Sequence, residues 1–178
     1  MSTIDEALAR GLAHHRAGDL RAAEQIYRQV LSDHPTHAEA LHRLGALALQ
    51  TAHAADAVRL IEQAIAIDPS IAEYHNNLGS AYLTVGRNDE ARLQCEEAIR
   101  LDPTMPDAHY NMGLALYALG RLEEAAASYR LSLRLRPMMS VEPQRSTPAA
   151  TARALCLSGS NSPFTHQCHF FTSILLSL

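Results

Sequence analysis

The sequence predicts an all-α fold, a right-handed superhelix (an α-solenoid) of four helical hairpins. Three observations carry that prediction. Pro35, Pro69, Pro103 and Pro137 stand 34 residues apart, and a fixed period of this size marks a stacked repeat rather than a single layered core. Seven of the eight glycines fall in two columns of that period. The apolar residues between the prolines recur at helical spacing.

With Ile4 as position 1, the units are 4–37, 38–71, 72–105 and 106–139. Each opens with a helix over positions 1 to 14, seen in Leu41, Leu44, Leu47 and Ala48 of the second unit and in Leu78, Ala81, Tyr82 and Val85 of the third. Position 15 ends it with Gly18, Ala52, Gly86 and Gly120, since glycine enters the left-handed region without a Cβ penalty. A second helix follows from about position 18, its stripe formed by Val58, Ile61, Ala64 and Ile65, then by Ala91, Cys95, Ala98 and Ile99. The proline at position 32 stops it, because the residue before a proline is driven out of helical geometry. Position 8 is Gly11, Gly45, Gly79, Gly113 and position 20 is Ala23, Ala57, Ala91, Ala125. Both columns are small where the two helix axes must approach closely. Glycine is kept there despite a cost of about 1 kcal/mol in a helix interior. One hairpin cannot bury its apolar face alone, and stacking buries it.

Composition narrows the function. The chain has 178 residues, 15 Lys plus Arg that are all Arg, 19 Asp plus Glu and a net charge of -4. That leaves no basic field for a phosphate backbone, so nucleic acid is not an expected partner. The N-terminus, Met1-Ser2-Thr3-Ile4-Asp5-Glu6, lacks a basic and an apolar leader region, and no 18-residue apolar run offers a membrane span. The three cysteines are unevenly spaced, which does not suggest a disulfide framework, so a cytoplasmic location is expected.

The columns resemble the tetratricopeptide repeat family, which has a small residue at position 8, Ala at 20, a large or aromatic residue at 24 and Pro at 32. The third unit, from Glu73-Tyr74-His75-Asn76-Asn77-Leu78-Gly79 to Asp102-Pro103, follows the pattern closely, and the fourth nearly so. The first departs, with Ala7 and Arg10 where large apolar residues are usual, as suits a solvent-facing end. The resemblance implies that the first helices line a concave groove and that the chain binds another protein or peptide there. Groove positions then give His42, Arg43, Asn76, Asn77, Ser80, Tyr110, Asn111 and Tyr117 as candidate contacts. Asn77 and Asn111 share position 6 of consecutive units, and their amides can offer a donor and an acceptor to a peptide backbone. This Asn ladder is similar to that of the O-linked N-acetylglucosamine transferase repeat arm, though Ala9 and Arg43 interrupt it in the first two units. The alternative to a stand-alone scaffold is therefore the N-terminal substrate-recognition part of such a glycosyltransferase, lacking its catalytic domain.

Other chemistries find less support. Chaperone-tail binders of the family clamp a carboxylate with clustered cations, and here only Arg16 and Arg43 are candidates. Asp5, Glu39, Glu73 and Asp107 repeat at position 2, which favours a cationic or neutral partner or a solvated face. His75 and His109 at position 4 read as packing residues, and Cys95 at position 24 as a small core residue. Cys156, His166, Cys168 and His169 have ligand types but no zinc spacing. Glu96-Glu97 and Glu123-Glu124 suit a wet outer face, and no catalytic motif occurs. The sequence thus predicts no catalytic residue, metal or cofactor.

After Pro137 the period ends. Residues 138–178 are rich in Ser, Thr and Pro, with Glu142, Arg145 and Arg153 as the charges. This tail reads as irregular, and three readings stay open: a disordered linker with a short apolar docking segment, an unusual cap on the last repeat, or out-of-frame sequence, in which case the native protein is longer. A poorly capped last unit would also allow self-association.

Overall fold

The computed structural model describes residues 3–136. Eight α-helices follow one another, α1 (Ile4–Arg16), α2 (Leu20–Asp33), α3 (Ala38–Gln50), α4 (Ala54–Ile67), α5 (Ala72–Thr84), α6 (Asn88–Leu101), α7 (Pro106–Ala118) and α8 (Leu122–Leu135). No strand occurs among the described residues. Each odd helix pairs with the next even one as a hairpin, and each even helix packs on the odd helix that follows. Consecutive odd helices also touch, α1 on α3, α3 on α5 and α5 on α7, whereas no comparable contact joins consecutive even helices. The stack therefore bends toward the odd helices, which form its inner face. The expected tail and the group Cys156, His166, Cys168 and His169 lie outside the described residues.

Local chemistry sets the helix ends. Thr3 caps α1 with a reciprocal capping box, its Oγ1 accepting from Glu6 N at 3.3 Å while Glu6 Oε2 accepts from Thr3 N at 3.0 Å. Asp19 caps α2, and Pro106 opens α7 at a position where a missing N–H costs nothing. The even helices begin at position 17, one residue earlier than the sequence suggests. The turn inside every hairpin is the same: the position-16 N–H reaches back to the position-11 carbonyl, as Asp19 to His14, His53 to Ala48, Arg87 to Tyr82 and Arg121 to Leu116, at 2.8–2.9 Å. This six-residue closure requires positive φ at position 15, found at Gly18 (81°), Gly86 (77°) and Gly120 (77°). The second unit places Ala52 there at φ 62°, a left-handed residue that carries a Cβ penalty of about 1–2 kcal/mol. Ala52→Gly is accordingly expected to raise stability by about 0.5–1 kcal/mol, because relief of the strain exceeds the added chain entropy only modestly. Urea unfolding of the two proteins checks it; an unchanged or lower midpoint would contradict the strain.

Between units, a second repeated device appears. His75 Nε2 lies 3.0 Å from the Pro69 carbonyl and His109 Nε2 lies 2.9 Å from the Pro103 carbonyl. The position-4 histidines are thus buried packing residues, and each also ties the first helix of its unit to the turn that ends the preceding one. Asp68 and Asp102 shape those turns by accepting from the backbone N–H and hydroxyl of Ser70 and Thr104, bonds that hold both carboxyls below their usual range.

The core follows from the two small columns. A Cβ on Gly11, Gly45, Gly79 or Gly113 would meet Tyr27, Ile61, Cys95 or Tyr129 at 2.5–2.8 Å, so the position-24 side chain of the second helix lies directly against the bare backbone of the first. Ala23, Ala57 and Ala91 are fully buried beside that contact. Tyr27, Ile61 and Cys95 are also fully buried, and each aliphatic or aromatic side chain sealed this way is worth about 1.5–3 kcal/mol. Cys95 is the core residue its column implies, with burial pushing its thiol up to about 12.

Candidate functional site on the inner helix face

The inner face presents positions 2, 6, 9, 12 and 13 of the odd helices, and polar side chains on it and in the seam beneath it are joined from helix to helix. Asn111 Nδ2 donates to Asn76 Oδ1 at 2.9 Å, Asn76 Nδ2 donates to Asn77 Oδ1 at 3.4 Å, and Asn77 Nδ2 lies 2.7 Å from His42 Nε2. The chain crosses from α7 to α5 to α3. Its rule is simple: the position-6 amide of one unit reaches back 35 residues to the position-5 side chain of the unit before. The rule also explains where the ladder ends. Arg43 is the position-6 residue of the second unit and would meet Leu8, an apolar buried residue; instead it turns along its own helix and pairs with Glu39 at 3.2 Å.

His42 and Asn76 need correction as groove contacts. His42 is 1% exposed and Asn76 is also buried, because position 5 points into the seam between consecutive odd helices. These two residues hold the neighbouring amides rather than face a partner. An amide N–H of Asn77 requires an unprotonated Nε2, so the His42 proton sits on Nδ1, a buried atom without a partner among the described residues. The ring stacks on Tyr74 with centroids 4.4 Å apart. Burial, with a smaller contribution from Arg43, lowers the His42 pKa to about 4. His42 is therefore neutral near pH 7.

The other candidates stay at the surface. Arg43, Asn77, Ser80, Tyr110 and Asn111 are half-buried and Tyr117 is 44% exposed. Tyr110 packs against Tyr129, centroids 5.7 Å apart, with the Arg136 guanidinium 5.9 Å from its ring centroid. Arg136 also pairs with Asp107 at 3.6 Å. Two members of the acidic position-2 column, Glu39 and Asp107, are thus engaged by arginines. Glu96, Glu97 and Glu124 are paired too, with Arg92, Arg100 and Arg121 at the exposed surface of the even helices, where such pairs contribute little.

At the α1 end of the face lies a shallow depression of about 370 Å³, lined by Leu12, His15, Arg16, His42, Arg43, Ala46, Gln50 and Glu73. It brings Arg16 and Arg43 to one place, although Glu39 already engages Arg43. His15 Nε2 and the Tyr27 hydroxyl are buried nearby without a partner among the described residues, their rings 6.4 Å apart. Sequence reasoning found the Asn pair but missed its bracing by position 5; the signal was a polar residue at position 5 of a unit whose successor has Asn at position 6.

Comparison with known proteins agrees with the repeat fold. The tetratricopeptide repeat profiles match residues 14–80 and 106–139, and a further TPR repeat profile matches residues 85–120. A search of the curated proteins found no match. Among solved structures, MamA is 27% identical with a TM-score of 0.65, covering 71% of this chain and 74% of its own. TTC0263, a thermophilic TPR protein of Thermus thermophilus, shares the fold at 23% identity and a TM-score of 0.68, over 75% of each chain. A mutant O-GlcNAc transferase of Thermobaculum terrenum is 32% identical with a TM-score of 0.62, over 65% of this chain and 23% of that one. The 34-residue hairpin, its glycine and alanine columns and these matches establish that the chain belongs to the tetratricopeptide repeat family.

Proposed function

We propose that the chain is a non-catalytic, cytoplasmic protein-interaction module that binds an extended peptide along the inner face of α3, α5 and α7. The observation that carries this reading is the pair Asn77 and Asn111. Each amide is fixed by a bond to the preceding unit, so its remaining hydrogen-bonding capacity is held in place on a half-exposed surface. A fixed amide loses little rotamer freedom on binding, and successive units supply it at a repeating interval that suits main-chain recognition. Arg43, Ser80 and Tyr117 supply side contacts on the same face.

The test begins with peptides selected against the whole chain from a random library. Asn77→Ala with Asn111→Ala is expected to lower their affinity about tenfold or more, at roughly 1 kcal/mol per lost bond. Since those amides also brace neighbouring helices, Ser80→Trp provides a second variant that removes no side-chain bond and fills the face. Selected peptides that bind both variants as well as the parent chain would place the binding surface elsewhere.

The 32% identity to a segment of an O-GlcNAc transferase favours one second reading, a substrate-recognition arm of a longer glycosyltransferase. The intact mass of the endogenous protein separates the two. A value near 19.5 kDa supports a stand-alone module, and a much larger value supports the arm.

A further inference from the structure

The two ends of the stack differ. At the α1 end, positions 3, 7 and 11 of the odd helix are Glu6, Arg10 and His14, all exposed. In the later units the same positions are apolar and pack on the preceding hairpin, as Ala40, Leu44 and Ala48 or Tyr74, Leu78 and Tyr82 do. This end is closed by polar groups. At the α8 end, positions 17, 21, 24 and 28 form one stripe, Leu122, Ala126, Tyr129 and Leu133. None of the twelve equivalent residues in the first three units is exposed: position 24 is sealed against the first helix of its own hairpin, and the next odd helix covers the others. In α8, Leu122 is 54% and Leu133 59% exposed. In sequence, a fifth unit in register would carry Pro143 and Pro148 at its fourth and ninth positions, where a helix does not readily accept proline.

We propose that this face is covered by a second copy of the chain, the two α8 helices packing antiparallel about a two-fold axis. Charge decides both the occupant and the direction. Glu123, Arg130 and Arg134 are exposed and follow Leu122 by one, eight and twelve residues, which puts them on one flank of the stripe at 100° per residue. Acid stands at the start of α8 and base at its end. A two-fold axis through the middle of the helix keeps the flank on the same side and reverses its order, so Glu123 of each copy meets Arg134 of the other. A parallel pairing about an axis along the helices would carry the two flanks to opposite sides, so Glu123 and Arg134 would not meet and their complementarity would be lost. A head-to-tail stack would set Leu122 and Leu133 against Glu6, Arg10 and His14. The antiparallel pair is isologous and closed, so association stops at two copies. It uses the outer end of the stack and leaves the inner face open for a peptide.

Sedimentation equilibrium of the full chain under reducing conditions tests this. The average mass is expected to rise with concentration from 19.5 kDa toward twice that value and no further. Leu133→Glu should hold the protein monomeric at every concentration without loss of helicity, since this side chain is exposed in the single chain. Glu123→Arg should weaken association about tenfold or more, and adding Arg134→Glu should restore it. A mass that stays at one chain up to high concentration would overturn the proposal in favour of a different cover for this face. Association that survives Leu133→Glu, or a charge swap that fails to restore it, would overturn the antiparallel geometry.

Discussion

Gly79→Leu is expected to cost about 3 kcal/mol or more of stability. A Cβ at position 79 would lie 2.8 Å from Cys95 Sγ and 3.4 Å from the Ala91 carbonyl oxygen, and the rest of a leucine side chain has no space between α5 and α6. Overpacking a well-filled core costs about 1–3 kcal/mol, and here the obstacle includes backbone, so α6 must move away from α5. That shift opens the buried Ala91, Cys95 and Ala98 contacts and disturbs the seat of α7 on α6. A double-mutant cycle isolates the cause. Gly79→Ala should destabilise, and Cys95→Ala in that background should recover part of the loss, because the nearest obstructing atom is the sulfur. Gly86→Ala is the contrasting case: nothing lies within 4 Å of an added Cβ and the cost arises from φ 77° alone, about 1 kcal/mol. Equal losses at positions 79 and 86 in chemical denaturation would mean that close approach of the hairpin axes does not determine the position-8 glycine.

Acidification supplies the second large effect, through His42. Burial lowers its pKa from an ordinary value of 6.5 to about 4 in the folded chain. Above pH 6.5 the ring is neutral in both states and its contribution to stability is whole. As the pH falls, the unfolded chain takes up this proton first, so stability drops between pH 6.5 and 4 and the loss levels off once the folded ring protonates. Linkage gives about 2 kcal/mol lost at pH 5 and about 3 kcal/mol at pH 4. The proton must go to Nε2, which destroys the acceptor that Asn77 uses, so unbracing of the amide ladder should accompany it. Comparing unfolding of the parent chain and His42→Gln at pH 7.5 and pH 5 measures the term. The variant should be less stable at pH 7.5 and show a slope smaller by about 2 kcal/mol over that interval. Parallel slopes in the two proteins would contradict a buried neutral His42.

Most of the fold was legible because it depends on columns. Glycine at positions 8 and 15, alanine at 20 and proline at 32 each report a backbone demand, a close approach, a left-handed turn or a helix stop, and the residues that meet those demands are few. The inner face was legible only in part. Asn77 and Asn111 were visible as a pair at the 34-residue period, but their partners His42 and Asn76 lie 35 residues back, off the column, because a side chain crossing between neighbouring helices joins different positions of the two units. His42 therefore looked like a groove contact when it belongs to the seam. The bonds from His75 and His109 to proline carbonyls were hidden for a similar reason: the acceptor is backbone, and a sequence pattern carries no mark of it. The exposure of Leu133 was equally silent, since Leu31, Ile65 and Ile99 occupy the same column under cover. Only the identity of the next helix distinguishes them.

The proposed function places the partner on the inner face. Amide and side-chain NMR of the isotopically labelled chain, titrated with a library-selected peptide, tests that directly. Shift changes should concentrate on Arg43, Asn77, Ser80, Asn111 and Tyr117 across α3, α5 and α7, with α4 and α6 little affected. Changes confined to the outer even helices, with Asn77 and Asn111 unmoved at saturation, would contradict it.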